Sequence, residues 1–133
     1  MNFFLDTNTC IYFLKGSHPR LQERFRQAHP DHLRVPSMVE AELLFGAAKS
    51  NRAEATRKTV RAFLAPFKIV PFDSNAASHY AVVRAHLEAA GTPIGPDDLI
   101  IAATVLSAGG CLITANTNEF QRVPGLRLED WSS

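Results

Sequence analysis

Only two cysteines occur among the 133 residues, Cys10 and Cys111, each in an apolar stretch far from the other. That spacing offers neither a disulfide framework nor a zinc knuckle, and two reduced core thiols account for it. Long hydrophobic runs are missing as well. The longest, Leu99–Ala108, falls far short of the roughly 18 residues that cross a bilayer. No basic segment precedes the first apolar stretch, which Asp6 interrupts, so a cytosolic protein without signal peptide or membrane span is expected. Neither sign of charge is in excess: 14 Lys and Arg face 13 Asp and Glu, for a formal net charge of +1. A polycation that holds nucleic acid by bulk charge is thereby excluded, although a basic rim around an acidic centre is not. Repeats, linkers and low-complexity segments are also absent.

What is present suits one globular domain spanning 1–133, with 46% hydrophobic residues and enough length for one core. Asn2–Leu5 reads as a strand. Asp6-Thr7-Asn8 follows as a run of N-capping residues before a helix carrying Ile11, Phe13 and Leu14. Gly16-Ser17-His18-Pro19 ends it, Leu21–Ala28 reads as a second helix, and His32–Val35 as a strand. Ser37 and Glu40 have the spacing of a capping box for a helix running to about Lys49. Ala53–Leu64 is a helix by period, Phe67–Val70 a strand, and Asp73 caps a longer helix closed by Gly91. Thr92–Pro96 is irregular. Asp97-Asp98 then opens a nearly apolar, hence buried, helix that Gly109-Gly110 terminates. Cys111–Thr114 is an inner strand and Leu126–Leu128 a weaker last one. Alternating strands and helices predict an α/β three-layer sandwich, a mostly parallel sheet with helices on both faces, whose ligands gather at the carboxyl ends of the strands.

The acids carry the chemistry. Most have structural work: Glu40 in the capping box, Asp73 as a cap, Glu23, Glu54 and Glu88 on solvated helix faces, Asp31 in a turn. Asp6 sits where the first strand ends. Glu42 stands amid Leu43, Leu44 and Phe45, where a carboxylate needs a partner. Asp97 and Asp98 share the start of a buried helix, and one cap explains only one of them. Thr114 to Glu119 adds another acid and two amides at the same edge. Converging carboxylates cannot all ionise without a cation. An oxygen-only set lacking paired His or Cys suits Mg²⁺, or Mn²⁺ in its place, rather than zinc. Phosphodiester hydrolysis is the chemistry such a centre performs.

At these residues a resemblance enters. Phe4-Leu5-Asp6-Thr7-Asn8, Ala41-Glu42-Leu43-Leu44-Phe45-Gly46, Pro93-Ile94-Gly95-Pro96-Asp97-Asp98 and Thr114-Ala115-Asn116-Thr117-Asn118-Glu119-Phe120 resemble the ordered motifs of PIN-domain ribonucleases. They are most similar to the VapC toxins of VapBC toxin–antitoxin pairs, as is the ending from Val123 to Trp131. The resemblance implies an acidic quartet of Asp6, Glu42, Asp98 and Glu119. Asp6 and Asp98 would be direct metal ligands. Glu42 would join the metal site or orient water, and Glu119 would act through water or a second ion. Thr7, Asn8 and Asn116 would support the ring by hydrogen bonds, with Asp97 left as the cap. It further implies a VapB-type antitoxin, a homodimer, and transfer RNA cut near the anticodon. The basic residues Arg20, Arg24 and Arg26, and Arg52, Arg57, Lys58 and Arg61, are then candidates for RNA binding.

Two other readings stand beside it. A haloacid-dehalogenase-like phosphohydrolase would need an acid two residues after Asp6, where Asn8 stands. A PIN-fold module that binds RNA or protein without hydrolysis would leave four acids unexplained.

Overall fold

The computed structural model describes all 133 residues. In chain order the elements are β1 (Phe3–Leu5), α1 (Thr7–Lys15), α2 (Pro19–Gln27), a 3₁₀ turn (Pro30–His32), β2 (Leu33–Pro36), α3 (Ser37–Ala48) and α4 (Ala53–Leu64). There follow β3 (Lys68–Val70), α5 (Ser74–Ala89), α6 (Pro96–Ala108), β4 (Cys111–Ile113), α7 (Thr117–Phe120) and β5 (Arg127–Glu129). The five strands form one sheet in the order β3-β2-β1-β4-β5. All four pairings are parallel, so the expected "mostly parallel" sheet is wholly so, and helices flank both faces. From β1 the chain winds to one side through β2 and β3 and to the other through β4 and β5. The crevice above β1 and β4 is therefore the point where strand order reverses.

Apolar runs follow from burial on both faces of the sheet. Phe4, Leu5, Leu33, Val35, Leu112 and Ile113 are fully enclosed, and α6 adds Ile101, Ala102 and Val105. Each large side chain so enclosed contributes roughly 1.5–3 kcal/mol. The turn from α6 into β4 depends on two glycines. Gly109 takes φ 76° as the left-handed cap. A Cβ on Gly110 would stand 2.3 Å from the Phe4 ring, so only glycine lets β4 lie against β1.

The structure moves several boundaries. α3 starts at Ser37 with Pro36 in the cap position, so the expected capping box does not form. The Ser37 hydroxyl instead accepts from the Phe72 amide at 3.2 Å, and Glu40 faces Arg61 at 3.9 Å. α6 starts at Pro96 behind Gly95, with Asp97 inside the first turn, exposed and making no capping bond. Proline at the first helical position has no N–H to satisfy, which removes the cap assigned to Asp97. No helix is long and apolar enough to cross a membrane.

Candidate active site

Asp6 sits directly above the switch point. Its backbone N–H bonds to the Ile113 carbonyl at 3.2 Å, tying the end of β1 to the end of β4, while its carboxylate caps α1 by accepting from the Thr9 amide at 2.8 Å. Both roles follow from one position: the residue leaves a strand and enters a helix. Only 5% of Asp6 is exposed. Burial raises its pKa, the Thr114 and Thr9 hydroxyls and the Thr9 amide oppose that rise, and Asp130 adds repulsion.

α3 delivers Glu42. The core face of α3 is Val39, Leu43 and Ala47, and at 100° per residue Glu42 projects beside it rather than into it. Thr7, the first residue of α1, donates its hydroxyl to Glu42 Oε1 at 2.5 Å. One side chain after Asp6 thus orients the carboxylate that arrives from another helix.

α6 and α7 supply the other half. Asp98, in the first turn of α6, is half-buried. Its pKa is pushed up to about 7, chiefly by burial, then by the charge of Glu119 and a hydrogen bond to it, then by Glu42 and Asp6. Burial would raise Glu119 too. Bonds from the Gly95 amide, Asn116 and Asp98, with the charge of Arg122, outweigh it and hold Glu119 below its ordinary value. Glu119 Oε1 accepts from the Gly95 amide at 2.8 Å and Oε2 from Asn116 Nδ2 at 2.5 Å. Gly95 also keeps the space clear, since a Cβ there would lie 3.6 Å from Asp98 Oδ2 and 3.7 Å from Glu119 Oε1. Of the two, Asp98 is pushed toward its protonated form and Glu119 toward its ionised form.

Asp98 thus feels the charge of Asp6, Glu42 and Glu119 together, so four elements direct carboxylates at one crevice. No three of them converge on a single point at ligation distance. The donor set nonetheless fits a hard divalent cation. Every candidate ligand is a carboxylate oxygen, and the repulsion stored on Asp98 is what a cation relieves.

Other expected residues fall elsewhere. Asn8 is exposed and its amide bonds to nothing in the chain, unlike Thr7 and Asn116. Arg57 pairs with Glu54 at 2.7 Å and Arg61 with Glu40. Together they line a groove with Leu44 and Ala48, on the side of α3 roughly opposite Glu42. Lys58 is exposed on the same α4 and Arg52 immediately before it. In the other basic group, Arg24 is taken by Glu129 and Arg26 by Glu23. The structure therefore does not bring the α4 cations to the carboxylates. Sequence reasoning missed Thr9, Thr114 and the Gly95 amide. A hydroxyl after a strand and a backbone N–H in a Pro-rich turn carry no signal of their own until the acids they serve are located.

The PIN-domain family model matches residues 3–126. The tRNA(fMet)-specific endonuclease VapC of Salmonella typhimurium is 38% identical over 131 residues, covering 98% of each chain. This chain belongs to the PIN-domain family, among its VapC ribonucleases. Among solved structures, the DNA-bound VapBC of Salmonella typhimurium superposes with a TM-score of 0.93 at 38% identity, covering 98% of both chains. VapBC-1 of nontypeable Haemophilus influenzae gives 0.90 at 32% identity over the full length of both. PIN-domain nucleases are generally dependent on divalent metal, which agrees with the oxygen-only donor set of this PIN domain.

Proposed function

We propose that this chain is the toxin of a VapBC pair, an Mg²⁺-dependent endoribonuclease that cuts transfer RNA near the anticodon and is silenced by a VapB-type antitoxin. The observation that carries the reading is the convergence of acids on Asp98: burial, then the charges of Glu119, Glu42 and Asp6, push its carboxyl up to about 7, in a crevice at the switch point of a PIN fold. A divalent cation bound there supplies a metal-activated water and neutralises the attacked phosphate.

The chain's own residues do the rest. Asp6 and Asp98 are the residues that would hold the cation, each through its ionised carboxylate. Thr7 fixes the Glu42 carboxylate so that it can ligate or orient the attacking water. Glu119, held toward its ionised form by the Gly95 amide and Asn116, keeps its charge at the outer edge of the crevice. The same clustering of negative charge repels RNA until the cation is in place, so cleavage is confined to a phosphate that enters the crevice. A splayed single-stranded loop offers such a phosphate and a duplex does not. Transfer RNA as substrate rests on the name of the Salmonella relative, and the antitoxin on the VapBC complexes that share the fold.

The test is digestion of total RNA by the purified protein, with and without its antitoxin, the new ends being mapped by sequencing. Cuts at one or a few positions in a transfer-RNA loop, abolished by antitoxin, are expected. Uniform degradation of every RNA would overturn the loop-specific reading, and undiminished cleavage by the complex would overturn the partner. Light scattering of the toxin alone tests the homodimer that the family leads one to expect.

A further inference from the structure

α3 carries a surface that neither its packing nor the carboxylate site explains. Phe45 is 64% exposed. Phe72, the other phenylalanine with an open face, packs edge-on against Tyr80, whereas Phe45 meets no aromatic partner. Phe45 lies three residues beyond Glu42 and Lys49 four residues further, which on a helix puts all three in one narrow stripe. The core face of the helix turns away from that stripe, and α4 lies on the opposite side. The Lys49 ammonium stands 5.1 Å from the centre of the Phe45 ring. It pairs with no carboxylate, while Arg24, Arg26, Arg57, Arg61 and Arg84 all do.

Gly46 is the independent observation. Glycine inside a helix is destabilising relative to alanine, and a packing clash would justify it. Here a Cβ would meet nothing within 4 Å. Folding gains no contact from that glycine; it stands one turn beyond Glu42 and leaves bare surface on the flank of the stripe that carries Phe45 and Lys49.

We propose that Phe45, Gly46 and Lys49 form a nucleotide platform beside the cleavage site. A base flanking the cut bond stacks on Phe45 across the bare surface at Gly46, and Lys49 pairs with the phosphate of that nucleotide. The proposal rests on RNA being the substrate. Any base has a π-face, so stacking of this kind seats a strand with little regard to sequence. An unpaired cation over the ring suits a phosphate-bearing occupant better than an apolar one. The platform provides the attraction that the acidic crevice denies to RNA, at the site itself rather than on α4.

The experiment measures steady-state cleavage of a synthetic stem-loop carrying the position mapped in total RNA. Phe45→Leu should lower kcat/KM by roughly 5- to 150-fold, the range of one base–aromatic stack, through KM with kcat nearly unchanged. Phe45→Trp should restore it. Gly46→Ala should raise the melting temperature yet weaken substrate binding, a split that a purely structural role would not produce. Lys49→Gln should flatten the salt dependence by about one phosphate contact, and Lys49→Arg should keep it. A substrate made abasic at the flanking nucleotide should lose as much as Phe45→Leu does, and the two changes together should lose no more than either.

Phe45→Leu with unaltered kinetics, or losses that multiply with the abasic substrate, would overturn the platform alone. So would a changed oligomeric state or antitoxin affinity with cleavage kinetics intact, since the ring would then face a protein. A wild-type protein that cleaves no RNA would overturn the ribonuclease reading and the platform with it.

Discussion

Asp98 and Glu119 border the same Gly95 and titrate in opposite directions: Asp98 is raised to about 7 and Glu119 is held below its ordinary value. The asymmetry has a structural source. Glu119 receives a backbone N–H from Gly95 and an amide from Asn116, so its ionised form is solvated by the protein, while Asp98 has burial and three like charges around it.

This division gives a pH-dependent stability. Folding favours the protonated Asp98, so its stabilising contribution is complete below pH 4 and is lost as pH rises through 7. In metal-free protein at pH 8, Asp98→Asn should melt higher than wild type by about 4 °C. That corresponds to roughly 1–2 kcal/mol after discounting for the half-exposed carboxyl. The difference should vanish near pH 4 and reverse when Mg²⁺ is added. Thermal melts at three pH values decide it, and equal melting of the two proteins at pH 8 would count against the crowding of charge.

Thr7 is expected to act only through Glu42. Thr7→Val should cut the rate about 10- to 100-fold, the cost of removing a group that orients a ligand, and Thr7→Ser should recover most of it. Metal titration of both variants by calorimetry separates loss of the cation from misplacement of the water.

Neighbouring acids on α3 should behave oppositely. Glu42→Gln should abolish cleavage with the fold intact. Glu40 faces Arg61 at the surface, so Glu40→Gln should stay active at a stability cost below about 1 kcal/mol. Circular dichroism and a cleavage assay on the two variants check this, and an inactive Glu40→Gln with an active Glu42→Gln would reverse the assignment.

Gly95→Ala should fold, because the added methyl group makes only ordinary contacts of 3.6 and 3.7 Å and the backbone N–H remains. That methyl would stand against the carboxylates of Asp98 and Glu119 and hinder a cation between them. Metal affinity should fall about tenfold with the melting temperature little changed, and calorimetric titration reads it directly.

The alternation of apolar runs with capping residues made the layers legible, and Ala53–Leu64 matches its helix to the residue. The placement of Asp6 at the end of β1 was legible too, because a strand and a cap adjoin there. Boundaries set by tertiary contact were not. Ser37 abandons its expected capping role to bind the Phe72 amide from across the chain, which spacing along one segment cannot reveal. The short α7 hides in a polar run because it makes a single turn whose only buried residue is Phe120. Basic residues in one sequence cluster looked like a rim; the i,i+3 pair of Arg57 with Glu54 lies within α4, but the pairing of Arg61 with Glu40 becomes visible only when α3 and α4 are packed together.

The central claim is that these carboxylates work by holding a divalent cation. The most direct measurement is the rate of transfer-RNA cleavage as Mg²⁺ is titrated at constant ionic strength, with an excess of EDTA at the origin. A saturable rise from zero, restored by Mn²⁺ and absent in Asp6→Asn and Asp98→Asn, is the predicted result; full activity in excess EDTA would contradict it.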